Sequence, residues 1–211
     1  MFTGIVEKTA KIDSVKTHGS CLRVCIKKPN GWNLSRGQSV SIDGICSTVV
    51  TFRRNTFLVE YIPETLSKTT AGFFAKGGMV NLERSLVYGN RVEGHLMQGH
   101  VDVRTRIIGV VEKGNSRELI IAVPPVQRRS IALRGSVAIN GASLTIARKR
   151  GATIVVALIP HTIRRTNLGL LTVGDQVNVE LDHTVRLLRA ATRARVGRNA
   201  AKRIYKKARR A

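Results

Sequence analysis

Cysteine is scarce in this 211-residue chain: only Cys21, Cys25 and Cys46 are present. So few, and an odd number, exclude a disulfide scaffold and read as reduced thiols in a cytoplasmic setting. Cys21 and Cys25 fall on one face of an expected strand, as packed thiols. Proline (five residues) and aromatics (4%) are also few, and no apolar run approaches the roughly 20 residues of a membrane-spanning helix. The start, MFTGIVEKTA, has no basic segment leading into an apolar one, so no secretory leader is expected. Several catalytic signatures are missing as well. There is no GxxxxGK[ST] phosphate loop, no GxGxxG after a strand, no HExxH, no CxxC and no GxSxG. His95 and His100 have no Cys or carboxylate cluster to complete a zinc site, so no metal is expected.

Acidic residues are the other shortage: 13 Asp and Glu against 36 Lys and Arg, a net charge of +23. Eleven of the basic residues lie between Arg186 and Arg210, where there is no acid, leaving residues 1–185 at a net +12. Such a tail can neutralise phosphates, and through it alone is nucleic acid a possible partner. The plainer reading is a short terminal helix, weakly periodic at Val185, Leu187, Leu188, Ala191 and Val196, ending in a solvated extension. Tyr205 alone is interleaved with the basic residues, so no base-stacking platform is encoded.

What the chain does have is a duplication. Shifted by 97 residues, segment 39–83 aligns with 136–180 without a gap, and 17 of 45 positions are identical, among them Gly44/Gly141, Thr48/Thr145, Pro63/Pro160, Asn81/Asn178 and Glu83/Glu180. The same shift sets Thr3 against His100. This is domain duplication, with units at residues 1–96 and 97–184 followed by a basic tail at 185–211. Each copy alternates over short segments: FTGIVEKTAKIDSV, CLRVCIKK, SVSID, ICSTVVTF, TFLVEYI and MVNLER in the first; HVDVRTRIIGVV, RELIIAV, SVAIN, ASLTIARK, TIVVALI and QVNVELD in the second. Six strands per copy predict an all-β chain of two similar six-stranded antiparallel Greek-key barrels and a C-terminal helix, because closure removes exposed edges. Pro63 and Pro160 each predict a short helical turn.

The polar residues fall at matched places. Asp43-Gly44-Ile45-Cys46-Ser47-Thr48 parallels Asn140-Gly141-Ala142-Ser143-Leu144-Thr145. Alternation sets Cys46 with Thr48, and Ser143 with Thr145, on one face. If that face is the barrel interior, the hydroxyls either satisfy nearby backbone groups or meet a ligand. Two matched pockets suit two molecules of one polar, planar ligand.

These residues resemble riboflavin synthase of the α-chain type. The resemblance runs through MFTGIVE, Asp43 to Val49, Pro63-Glu64-Thr65-Leu66, Val80 to Arg84, Gly94-His95-Leu96-Met97-Gln98-Gly99-His100-Val101-Asp102, Gly141 to Thr145, Ile159-Pro160-His161-Thr162 and Gly174 to Glu180, and covers about residues 1–190. It implies a transferase, without metal or organic cofactor, that dismutates two 6,7-dimethyl-8-ribityllumazine molecules. A four-carbon unit passes from one to the other, giving riboflavin and 5-amino-6-(D-ribitylamino)uracil. It further implies a homotrimer whose active site forms between the first barrel of one subunit and the second barrel of its neighbour.

By motif match, one pocket takes Cys46, Ser47 and Thr48, the stretch Glu60, Tyr61, Ile62, Pro63, Glu64 and Thr65, and Gly99, His100 and Val101. The other takes Gly4, Ile5 and Val6, then Arg134, Ser143, Leu144 and Thr145, and Ala157, Leu158, Ile159, Pro160, His161 and Thr162. Cys46, His100, Ser143 and Asp182 are the expected catalytic residues. His100 handles a proton, or else simply bonds a strand end. Ser47 and Arg134 depart from the leucine and lysine usual in the family. The alternative is a non-catalytic lumazine or flavin binder of the same fold.

Overall fold

The computed structural model describes residues 1–185, 187 and 188; the expected C-terminal helix and basic tail otherwise lie outside the described residues. The first unit contains β1 (Lys8–His18), β2 (Cys21–Lys27), β3 (Ser39–Ile42), β4 (Ile45–Phe52), β5 (Thr56–Tyr61) and β6 (Met79–Arg84). The second contains β7 (Val103–Lys113), β8 (Ser116–Ala122), β9 (Ser136–Ile139), β10 (Ala142–Arg150), β11 (Thr153–Leu158) and β12 (Gln176–Leu181). Each set closes into an antiparallel barrel, ordered β1-β2-β5-β4-β3-β6 and, equivalently, β7-β8-β11-β10-β9-β12. In each, three hairpin-linked strands return to lie beside the second, a Greek-key connection. Short helices α1 (Pro63–Lys68) and α3 (Pro160–Arg165) begin at the two prolines, whose fixed φ and missing N–H suit a first turn.

The barrels are filled by their own side chains. Val24, Ile26, Val40, Ile42, Phe57, Val59 and Leu82 are buried in the first, and Ile107, Leu119, Ile121, Val137, Ile139, Ile154 and Val156 in the second. This follows from alternation, since every second residue of a closed sheet points inward. Matched bulges at Ile12/Ser14 and Ile107/Gly109, and at Val49/Thr51 and Ile146/Arg148, bend the long strands at closure.

The strand pairings refine the internal repeat. Lys8 opposes Leu82 as Val103 opposes Val179, and Leu22 opposes Tyr61 as Arg117 opposes Leu158, so the two copies are offset by 95 residues through β2 and β8. The offset becomes 97 afterwards because the connection before β9 is two residues longer than the one before β3; it contains α2 (Pro125–Arg128). Thr3 therefore matches Gln98, not His100, and Gly4 matches Gly99.

The barrels meet across a pseudo-two-fold seam. Each β3–β4-type hairpin turns on two residues with positive φ, Asp43-Gly44 and Asn140-Gly141, as a two-residue turn between twisted strands requires. A Cβ on Gly44 would lie 2.8 Å from the Gly141 nitrogen, and one on Gly141 2.7 Å from the Gly44 nitrogen. Around the axis the hydrogen bonds repeat. The Asn81 N–H donates to Asp43 Oδ1 (2.7 Å) and the Asn178 N–H to Asn140 Oδ1 (2.9 Å). Asn81 Nδ2 donates to the Asn140 carbonyl and Asn178 Nδ2 to the Asp43 carbonyl, both at 2.8 Å. The Thr70 N–H donates to Asn178 Oδ1 (2.8 Å) and the Asn167 N–H to Asn81 Oδ1 (2.7 Å). A buried seam of this kind holds because its amides are paired.

Candidate functional site

Phe2 and Met97, both fully buried, pair as an isolated antiparallel bridge and pack with Ala138 into a small third core. From this bridge the chain leads into two straps that cross between the barrels. Glu83 of β6 accepts from the Thr3 N–H (2.6 Å), the Thr3 hydroxyl (2.7 Å) and the Gly4 N–H (3.0 Å). The Gly4 carbonyl then accepts from the Ser143 N–H of β10 (2.8 Å), and Val6 enters the core of the second barrel. Glu180 of β12 likewise accepts from the Gln98 and Gly99 N–H groups (2.7 and 2.9 Å). The Gly99 carbonyl accepts from the Cys46 N–H of β4 (2.8 Å), and Val101 packs on the first barrel. Expected strands through Phe2–Glu7 and His100–Asp102 are therefore straps instead: Gly4 and Gly99 bond the opposite barrel, and only at Glu7 and Asp102 does the chain pair with its own, through the Leu82 and Val179 carbonyls (both 2.9 Å).

Glycine is required in both straps. Gly4 has φ +78°, and a Cβ there would lie 2.6 Å from the Ser143 Cβ; Gly99 has φ +76°, with the Cys46 Cβ at 2.7 Å. Each carboxylate clamp thus fixes a backbone carbonyl against one polar residue of the other barrel. Burial raises the Glu83 pKa even though three donors favour its ionised form.

The chain brings together the groups expected from sequence: Cys46 with Gly99, and Ser143 with Gly4. It corrects the face on which they sit. Cys46 and Thr48 point out of the first barrel and Ser143 and Thr145 out of the second, while Ser47 and Leu144 turn inward. Barrel interiors are packed, so the sites lie on the outer walls beneath the straps. Ser47, in place of the usual leucine, fits the interior by hydrogen bonding to the Tyr61 hydroxyl (2.9 Å) and the Ile45 carbonyl (3.0 Å). Burial raises the Tyr61 pKa, so that hydroxyl stays neutral. Side chains of Ser47, Tyr61 and Leu158 are thus turned away from the outer wall, which they border through backbone alone.

Around the first site, Glu60 pairs with Arg23 (2.6 Å) and lies 3.5 Å from His18. Ile62, Pro63 and Glu64 are exposed at the start of α1, Thr65 is half-buried, and Glu64 pairs with Lys68. His100 is exposed on the strap. Around the second site, Ala157, Ile159 and His161 are exposed, and Pro160 and Thr162 half-buried. Arg134 is exposed with φ +64°, a backbone state that a lysine would share equally poorly. Apolar Ile5, Leu96, Ile62 and Ile159 remain 44–60% exposed beside the two sites.

One residue outside the expected set, His95, belongs to the second site. Ser143 Oγ lies 2.7 Å from His95 Nδ1. The backbone N–H of His95 donates to the Thr3 carbonyl (3.0 Å), holding the residue beside the strap. Burial lowers the His95 pKa below the ordinary imidazole value, while the charge of Asp182 pulls it upward. His95 Nε2 is buried without a hydrogen-bond partner among the described residues. Asp182, itself half-buried, accepts from the Thr184 N–H (2.8 Å). The Ser143–His95–Asp182 group has no counterpart in the first copy: at an offset of 95, His95 falls before Met1. The signal available in the sequence was its place in the stretch Gly94 to Asp102 that carries the family resemblance. The first site therefore presents a thiol, and the second a hydroxyl joined to a neutral imidazole. Among the described residues, no cluster of His, Cys, Asp and Glu could hold a metal ion.

Residues 3–85 and 98–182 each match the family described as the lumazine binding domain. The riboflavin synthase of Bacillus subtilis (strain 168) is 38% identical over 183 residues, which cover 86% of this chain and 85% of that protein. The riboflavin synthase of Actinobacillus pleuropneumoniae is 35% identical over the same shares. Among solved structures, LumP complexed with riboflavin superposes with a TM-score of 0.81 at 23% identity, covering 86% of this chain and 99% of that one. LumP complexed with 6,7-dimethyl-8-(1'-D-ribityl)lumazine gives 0.78, also at 23% identity. With both repeats matched and relatives this similar along most of its length, the chain belongs to the riboflavin synthase family, enzymes built on paired lumazine-binding domains.

Proposed function

We propose that the protein is a riboflavin synthase. It transfers a four-carbon unit between two 6,7-dimethyl-8-ribityllumazine molecules, yielding riboflavin and 5-amino-6-(D-ribitylamino)uracil. The observation that carries this reading is a pair of equivalent but chemically unequal strap sites, Cys46 under Gly99 and Ser143 under Gly4. A dismutation needs that combination. The two substrates are identical, so the pockets must be alike; one substrate donates and the other accepts, so the pockets must also differ. Holding both in register removes the entropy cost of their meeting.

Cys46, His100, Ser143 and Asp182 are the groups assigned to the reacting rings, with His95 orienting the Ser143 hydroxyl. A neutral imidazole–hydroxyl pair favours removal of a proton from the acidic C7 methyl, whose anion delocalises into the ring. The exposed Ile5, Leu96, Ile62 and Ile159 support closure of each site by a neighbouring subunit. First and second barrels of adjacent chains would then face each other in a homotrimer. Three free thiols suit a cytoplasmic setting.

Mixing the protein with the lumazine and following riboflavin fluorescence tests the reading, with His100→Gln and Cys46→Ser beside the wild type. Turnover by the wild type, reduced in the variants, is expected. Likeness to the LumP fold favours one other reading, a lumazine or flavin binder without chemistry. Tight binding of the lumazine with no riboflavin formed would select the binder and refute the synthase.

A further inference from the structure

The seam between the barrels opens on one side into a cleft of about 530 Å³. None of its lining residues belongs to the candidate site. Its walls are twin hydrophobic pairs, Phe73 and Phe74 from the first barrel and Leu170 and Leu171 from the second, and its polar lining includes Asp43, Asn140, Asn167 and Asp175. Phe73 and Leu170 are 59% and 68% exposed, whereas Asp43 is only 4% exposed.

Pseudo-symmetry shows which part of Asp43 the fold uses. Asp43 Oδ1 accepts from the Asn81 N–H and also from Asn167 Nδ2 (2.7 and 2.9 Å). In the other barrel the amide oxygen of Asn140 accepts from Asn178 in the same way. An amide thus suffices for the seam. The second oxygen of Asp43 is surplus to it and receives no hydrogen bond from a described residue. A carboxylate left so nearly buried is costly unless a donor reaches it.

Charge complementarity gives the class of that donor. The chain has 36 basic and 13 acidic residues, yet the cleft lining contains Asp43 and Asp175 and no Lys or Arg. Asp175 is engaged with the Thr172 N–H (2.7 Å) and hydroxyl (3.0 Å). Arg104, beside the Phe73 wall, is committed elsewhere, stacked 4.7 Å from the Phe73 ring centroid and donating to the Thr69 carbonyl (3.1 Å). We propose that this cleft binds a small organic cation, a primary ammonium on a flat apolar body, with the ammonium on Asp43 and the body between the Phe73–Phe74 and Leu170–Leu171 walls. The site is independent of the lumazine sites.

Benzylamine titrated into the full-length protein by calorimetry at pH 8.5, where the Asp43 carboxyl is ionised and the amine still mostly protonated, tests the proposal, with benzyl alcohol as the neutral control of the same shape. Expected are saturation at one molecule per chain and at least about tenfold weaker binding of the alcohol, as loss of a charge-assisted hydrogen bond implies. Asp43→Asn should weaken benzylamine binding by a similar factor. That variant is expected to fold, because Asn140 occupies the equivalent position, and its circular dichroism should match the wild type. Cys46→Ser should bind benzylamine unchanged. Equal affinity in Asp43→Asn, no saturation, or displacement of benzylamine by the lumazine would each overturn the proposal.

Discussion

Replacing Asp43 by Asn alters one atom in the seam and removes one titration. Burial raises the Asp43 pKa from 3.8 to about 7, against two hydrogen bonds that act the other way. The folded state therefore binds this proton more tightly than the unfolded chain does. Below about pH 4 the carboxyl is protonated in both states and contributes no pH dependence. As pH rises, the unfolded state ionises first, and stability falls until the folded carboxyl also ionises, above about 7. Three pKa units correspond to on the order of 4 kcal/mol. Asp43→Asn lacks this loss, so it should gain on the wild type by up to that amount at pH 8.5 and by almost nothing near pH 4. Urea unfolding of both proteins at the two pH values measures the difference, and comparison between variants cancels the other titrating groups. Parallel stability profiles would refute the assignment of a buried, proton-holding carboxyl to the seam.

Gly44→Ala and Gly141→Ala each place a methyl group under 3 Å from the twin turn's backbone, at φ near +78°, so either should lower stability by several kcal/mol, read as a fall in Tm. Glu83→Gln keeps one acceptor where three donors converge, which should cost about 1–3 kcal/mol and raise KM for the lumazine by loosening the Thr3–Gly4 strap; an unchanged KM would argue against the strap as part of the site. For the Ser143–His95 pair, Ser143→Ala and His95→Gln should be non-additive in a double-mutant cycle on turnover, with a coupling of about 1 kcal/mol; strict additivity would separate the two roles.

The barrels and their doubling are legible from the order of residues alone. Alternation in SVSID and TFLVEYI commits every second residue to an interior, and the repeat of Gly44, Asn81 and Glu83 as Gly141, Asn178 and Glu180 declares two copies of one design. Those signals are local or periodic, so they survive without coordinates. The pairing of Cys46 with Gly99 and of Ser143 with Gly4 was legible only through family motifs, because the partners are 53 and 139 residues apart and belong to different barrels. Which face carried them was not legible. A period of two says that Cys46 and Thr48 share a side, and only closure of the sheet decides that this side is the outer one. His95 had no internal match to draw attention to it, and its meaning depends on a contact with Ser143 made across 48 residues. The surplus charge of Asp43 is the clearest case. In sequence, Asp43 and Asn140 look like an ordinary conservative pair. Only the packing of two barrels around one axis excludes water from that carboxyl, and desolvation is a property of the assembled surroundings rather than of any residue.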